Sequence, residues 1–282
     1  ARGLTATPGD SFTLIGGRRM GKTSLLEALA RTLKTVPQTS MQEMLSIPLF
    51  LDLSGEGIGS AAAFFRVIGE RARFALADLL MVDNIAIGNH HPPAPAFAQV
   101  LQEWERATMA QRGCRLRLIF LLDECEQIIE QPWVPELYGA LRYLLVGQST
   151  RSLLKIVMTG SHRFFTQVRQ QGSPLRNVLA YHRLYVLNES AIHELVNRPT
   201  GNSLAANVVE AVIDQSGGHP FLTQYVMHHL YEHGIGNVTP EMVSRVAVEF
   251  PHERNDFADW LDGLGESGSR IYDVLAQAKT LD

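Results

Sequence analysis

The sequence predicts a three-layer α/β fold, with a parallel sheet between helices, followed by a smaller all-helical domain. Three observations carry that expectation. Short apolar runs alternate with amphipathic stretches through the first two-thirds of the chain, as βα units require. Residues 116–122 are almost uninterruptedly apolar, the pattern of a strand buried on both faces. From about Asn188 the strand signal stops and only helical periodicity remains.

Taken in order, residues 11–15 (Ser-Phe-Thr-Leu-Ile) form the first expected strand, which ends in Gly16 and Gly17. Residues 23–33 place Leu25, Leu26, Leu29 and Leu33 on one helical stripe. A second strand is expected at 47–53, and Pro48, lacking an N–H, points to a sheet edge or a late start. Residues 61–81 read as a long helix. The segment 90–95 holds three prolines and reads as a loop, with helix resuming at 97–111. Further strands are expected at 153–158 and 182–187. Helices then follow at 189–197, 204–215, 220–233 and 240–250. Gly217 and Gly218 suit a left-handed helix stop, and Pro220 suits the start of the next helix, where its missing N–H costs nothing. The resulting organisation is an α/β domain at 1–188, a helical domain at 189–252 and a further helical segment at 253–282.

Composition narrows the function classes. The net charge of −4 disfavours bulk neutralisation of phosphate, so nucleic acid is a possible but not a favoured partner, and a local basic stripe stays open. Cys114 and Cys125 form neither a disulfide framework nor a zinc spacing, which favours a reducing compartment. The pairs His90–His91 and His228–His229 have no cysteine or carboxylate partner at zinc spacing. No apolar run reaches the length of a membrane span, and the N-terminus lacks a signal-peptide pattern. The expectation is a soluble cytoplasmic protein with no membrane partner.

Gly16-Gly17-Arg18-Arg19-Met20-Gly21-Lys22-Thr23 matches G-x-x-x-x-G-K-[ST] in full, between an expected strand and an expected helix. Glycines let the backbone close around phosphate oxygens, and successive N–H groups point inward with the helix dipole behind them. In this reading residues 16–24, including Ser24, cradle ATP or ADP, Lys22 reaches the β- and γ-phosphates, and the Thr23 hydroxyl ligates Mg²⁺. The strand at 118–122 ends in Asp123 and Glu124. Asp123 is placed to hold Mg²⁺ and Glu124 to polarise an attacking water, a pairing that argues for hydrolysis. Thr159 and Ser161 end the next strand and are candidates for contacting the γ-phosphate or the lytic water. Arg163 and Arg176 are candidates for neutralising transition-state charge.

These residues resemble a family. The run 16–26 is similar to the phosphate loop of STAND-class signal-transduction ATPases and their AAA-like relatives. Leu121-Leu122-Asp123-Glu124 looks like their acidic strand, and Ser173-Pro174-Leu175 with 187–195 and Pro199 resembles their link into a helical lid. Gly217-Gly218-His219-Pro220 looks like their Gly-x-Pro motif. The resemblance implies that His219 and Pro220 border the adenine. It also implies a slow, regulatory ATP hydrolase whose nucleotide state controls lid position, self-association and an attached effector. Such proteins carry a base-pocket segment before the first strand, where only nine residues precede Asp10 here, and a winged-helix domain after the lid, for which 269–278 is the expected beginning. The alternative reading is an AAA+ ATPase that assembles on DNA, of the loader or transposition-regulator type.

Overall fold

The computed structural model describes residues 11–35, 44–77, 79–80, 93–201, 204–232, 234, 237–253 and 270. The chain divides into two compact units: residues 1–17 with 21–184, and residues 18–20 with 185–282.

The first unit is built on a five-stranded sheet in the order β2-β3-β4-β1-β5, with every pairing parallel. Its strands are β1 (Phe12–Ile15), β2 (Met44–Asp52), β3 (Arg115–Asp123), β4 (Leu154–Gly160) and β5 (Ala180–Arg183). Parallel neighbours need crossovers, and these are α1 (Lys22–Thr35), α2 (Ala61–Ala77), α3 (Pro93–Arg112), α4 (Val134–Val146) and α5 (His162–Arg169). Side-chain alternation assigns the layers. Leu118, Phe120 and Leu122 of β3 enter a large core with Phe64, Trp104, Leu141 and Phe164 from α2 to α5. Ile119 and Leu121 turn the other way and pack with Leu26 of α1, Phe12 and Val157. Helices therefore cover both faces, as the three-layer expectation requires. Pro48 falls in β2, which ends the sheet, so its missing donor takes no interior ladder bond away.

Several boundaries differ from the sequence reading. Helix α3 starts at Pro93, not 97, and takes in Pro95. The first turn of a helix has no intrahelical acceptors for its N–H groups, so prolines there break nothing. Strand β5 ends at Arg183, earlier than the expected 187. Helices α4 and α5 add two elements that the sequence reading did not place. The helix expected at 61–81 stops at Ala77, with Leu79 and Leu80 in a turn whose N–H groups donate to the Leu76 carbonyl. The expected loop residues 90–92 and the helical segment beyond Glu253, apart from Arg270, lie outside the described residues.

The second unit contains α6 (Glu189–Thr200), α7 (Ala206–Ser216), α8 (Pro220–Glu232) and α9 (Pro240–Glu253). Its own core joins Ile192, Val196, Val209, Val212, Val226, Leu230, Val243 and Phe250. Asn188 caps α6 by accepting a hydrogen bond from the Ala191 N–H at 2.9 Å. Helix α6 runs through Pro199 and stops at Gly201, which is left-handed at φ 62°.

Candidate functional site

In a parallel sheet all strand C-termini reach the same edge, and ligands of open α/β sheets bind there. Residues 16–24 leave β1 at this edge. The Gly16 N–H donates to the Gly160 carbonyl at 3.4 Å, which ties the loop to the end of β4. Gly21 is left-handed at φ 85°, and so is Arg19 at φ 58°, an uncommon conformation for a residue with a Cβ. Lys22 opens α1 and is buried, and its ammonium donates to the Gly16 carbonyl at 3.2 Å and the Gly17 carbonyl at 2.9 Å. Thr23 and Ser24 are exposed in the first turn of α1.

Asp123 ends β3 and is only 2% exposed. Its Oδ1 accepts from the Glu124 N–H at 3.0 Å and from the hydroxyl of Thr159, the fully buried residue near the end of β4. A buried carboxylate needs such donors, and here they also fix its orientation. Glu124 turns left-handed (φ 52°, ψ 42°), so its side chain departs from the strand direction held by Asp123. Burial, followed by the nearby Glu126 and Asp123 charges, holds the Glu124 carboxyl above its ordinary range, while Lys22 and Gln127 act against the shift. The Lys22 influence places ammonium and carboxyl in one electrostatic environment.

The structure thus brings Gly16, Gly17, Gly21, Lys22, Asp123, Glu124 and Thr159 to one sheet edge. Ser161 is the residue before α5, half-buried and making no side-chain cap hydrogen bond. Arg163 is exposed and paired with Glu130. Arg176 is exposed in the turn after α5, a turn held by the Arg142 guanidinium donating to the Pro174 carbonyl at 2.8 Å. Cys125 is fully buried, which pushes its thiol well up and away from nucleophilic use.

Residues 18–20 group with the second unit. There the Arg19 guanidinium lies 4.1 Å from the centre of the Phe221 ring. His219 is partly buried, which lowers its pKa, and a backbone hydrogen bond with Arg18 opposes that shift. The segment before α8 is held tightly. Gly218 is left-handed at φ 74°, and a Cβ there would meet the Leu187 carbonyl oxygen at 2.5 Å, so only glycine fits. The Thr223 hydroxyl donates to Ser216 Oγ at 3.0 Å or to the His219 carbonyl at 3.1 Å, bracing the turn into Pro220. Met20 is half-buried.

Sequence reasoning missed three residues. Asp52 ends β2 in register with Asp123, so a second carboxylate stands at the same edge. Glu126 raises the Glu124 pKa and has a buried carboxylate oxygen. Phe221 sits under Arg19. Asp52 was readable as an acid closing an apolar strand, but the other two depend on tertiary placement.

The oxygen donors here, the Thr23 hydroxyl and the Asp123 carboxylate, are hard ligands of the type Mg²⁺ takes. The buried Lys22 ammonium beside them suits anionic phosphate.

No family model matches the chain, and no curated protein matches it. Solved structures do. A Walker-type ATPase of Pyrococcus abyssi aligns over 97% of this chain and 75% of its own, at 19% identity and a TM-score of 0.60. The Aeropyrum pernix ORC2 protein, solved as ADPNP–ADP complexes, aligns over 88% of this chain and 64% of its own, at 12% identity and a TM-score of 0.57. The ORC1 protein of the same organism, in complex with DNA, aligns over 86% of this chain and 59% of its own, at 14% identity and a TM-score of 0.53. The chain spans less than two thirds of the length of both ORC proteins. At these identities the likeness concerns architecture, and it is that of a P-loop α/β fold with a parallel five-stranded sheet.

Proposed function

We propose that this chain binds ATP with Mg²⁺ and hydrolyses it slowly, as a molecular switch of the STAND type. The observation that carries the reading is the convergence of Lys22, Asp123, Glu124 and Thr159 on the strand ends that flank a full G-x-x-x-x-G-K-T loop. The loop amides and Lys22 hold the triphosphate, with Arg18, Arg19, Met20 and Ser24 completing the cradle. Thr23 and Asp123 hold Mg²⁺, which neutralises phosphate charge when bound. Glu124 accepts a proton from the attacking water, a role that its raised pKa favours at neutral pH. Thr159 positions Asp123 and, with Ser161, faces the reacting phosphate. Arg163 or Arg176 supplies positive charge to the transition state. His219 and Pro220 border the base, so residues 189–252 respond to nucleotide state as a lid. Only a difference in contacts between the ATP and ADP forms can drive that response. The lid would in turn control self-association and an effector in the cytoplasm.

Isothermal titration calorimetry and phosphate release test this directly. Lys22→Ala is expected to abolish ATP binding, and Glu124→Gln to keep binding while lowering turnover by about 10²-fold or more. Unchanged ATP affinity in Lys22→Ala would remove the loop from the site.

A second reading is favoured by the ORC1 protein, which has this architecture and was solved with DNA. In that reading ATP drives assembly of the chain on a duplex. ATP-dependent anisotropy changes with a labelled duplex, at two salt concentrations, separate it from the switch reading.

A further inference from the structure

Charge is unevenly spread along this acidic chain. Between Glu136 and Glu189 there is no Asp or Glu at all, while the same stretch holds seven of the 25 basic residues. Two of its elements, α5 and β5, lie beside each other in the first unit, at the end of the sheet. Helix α5 turns Phe164 and Val168 into the core and leaves His162, Arg163, Thr166 and Arg169 exposed. Every residue of β5 is exposed.

Between these elements the aromatic side chains form a ladder. The Phe165 ring lies 5.3 Å from Tyr181, and His162 lies 6.0 Å from Phe165. The Arg169 guanidinium sits 5.0 Å from the Tyr181 ring centre and 5.7 Å from that of Phe165. Tyr181 keeps 53% of its surface open. Two residues along β5, Arg183 shares its face with Tyr181.

We propose that the α5–β5 face binds single-stranded nucleic acid, with bases stacking on Tyr181 and Phe165 and with Arg169 and Arg183 holding backbone phosphates. Arg169 and Arg183 suit a polyanion, while Arg163, on the same helix as Arg169, is already paired with Glu130. Aromatic rings beside a guanidinium add flat faces on which unstacked bases can lie. A duplex keeps its base faces stacked internally, so the ladder favours a single strand. The inference does not require ATP hydrolysis, although this face borders the phosphate loop: Arg183 pairs in register with Ile15, and α5 follows Ser161.

The test is fluorescence anisotropy of labelled oligothymidine with the whole chain, without nucleotide, at low and at physiological salt. Its outcome therefore leaves the phosphate-loop reading untouched. Tyr181→Ala is expected to weaken binding about 10-fold, and Tyr181→Phe to restore it. Arg169→Ala or Arg183→Ala should each lessen the salt dependence by about one phosphate contact. Thermal unfolding of each variant establishes that it is folded. The proposal is overturned if oligothymidine does not bind at low salt, or if folded Tyr181→Ala binds as the wild type does. Duplex DNA binding as tightly as the single strand would overturn it too. Oligoglutamate competing as well as oligothymidine would point instead to an acidic protein partner and equally refute it.

Discussion

Glu124 illustrates how one backbone angle and one dielectric environment set chemistry. The left-handed turn separates it from Asp123, and burial with two neighbouring acids raises its pKa. The folded chain therefore holds this proton more tightly than the unfolded chain. That contribution to stability is fully present below the unfolded pKa and is lost as pH rises through the raised folded value. Glu124→Gln carries no charge to desolvate. It is expected to be more stable than the wild type at neutral pH and to lose that advantage in mild acid, as read from urea midpoints across pH. An advantage independent of pH would assign the effect to something other than the carboxyl. Asp123 differs in its geometry, a buried carboxyl whose Oδ1 is oriented by two donors, the Glu124 N–H and the Thr159 hydroxyl.

Among the elements, helix α4 was the most readable of those missed. Val134, Leu137, Tyr138, Leu141 and Leu144 are buried at helical spacing, and Pro135 stands near the start, where helices accept it. Leu141→Ala removes a fully buried side chain and is expected to cost about 3 kcal/mol, measured by chemical denaturation. A cost near zero would mean the helix does not pack as described. Helix α5 left a weaker trace, because eight residues give only two inward positions, Phe164 and Val168. The strand–loop–helix setting of residues 16–24 and the acidic end of β3 were legible, since each is a local pattern formed by a strand and the turn that adjoins it. The bracing of Asp123 by Thr159 joins residues 36 apart in sequence, and a single chain carries no periodic signal for such a pair. The start of α3 was missed for a different reason. Proline usually breaks helices, yet in a first turn it is compatible with them.

At the scale of the whole molecule, the two units have separate cores, one around Phe120 and Trp104 and the other around Val212 and Phe250. Stability is then a property of each unit. Hydrogen exchange is expected to show Val212→Ala weakening protection in α6 to α9 while β3 and β4 keep theirs, and Leu141→Ala doing the converse. Equal loss in both units for either variant would mean that the chain unfolds as one cooperative body.

The two ends of the sheet bear on how the protein behaves when crowded. An unpaired outer strand is a template on which another molecule can extend the ladder into a fibre. At β2 that template is interrupted by Pro48, which offers no N–H. At β5 only four residues are presented, and Arg183 closes them with a charge that repels its own kind. Removing both devices, Pro48→Val together with Arg183→Thr, is expected to speed aggregation at high concentration as read by light scattering, and an unchanged rate would mean that these strand edges are protected in another way.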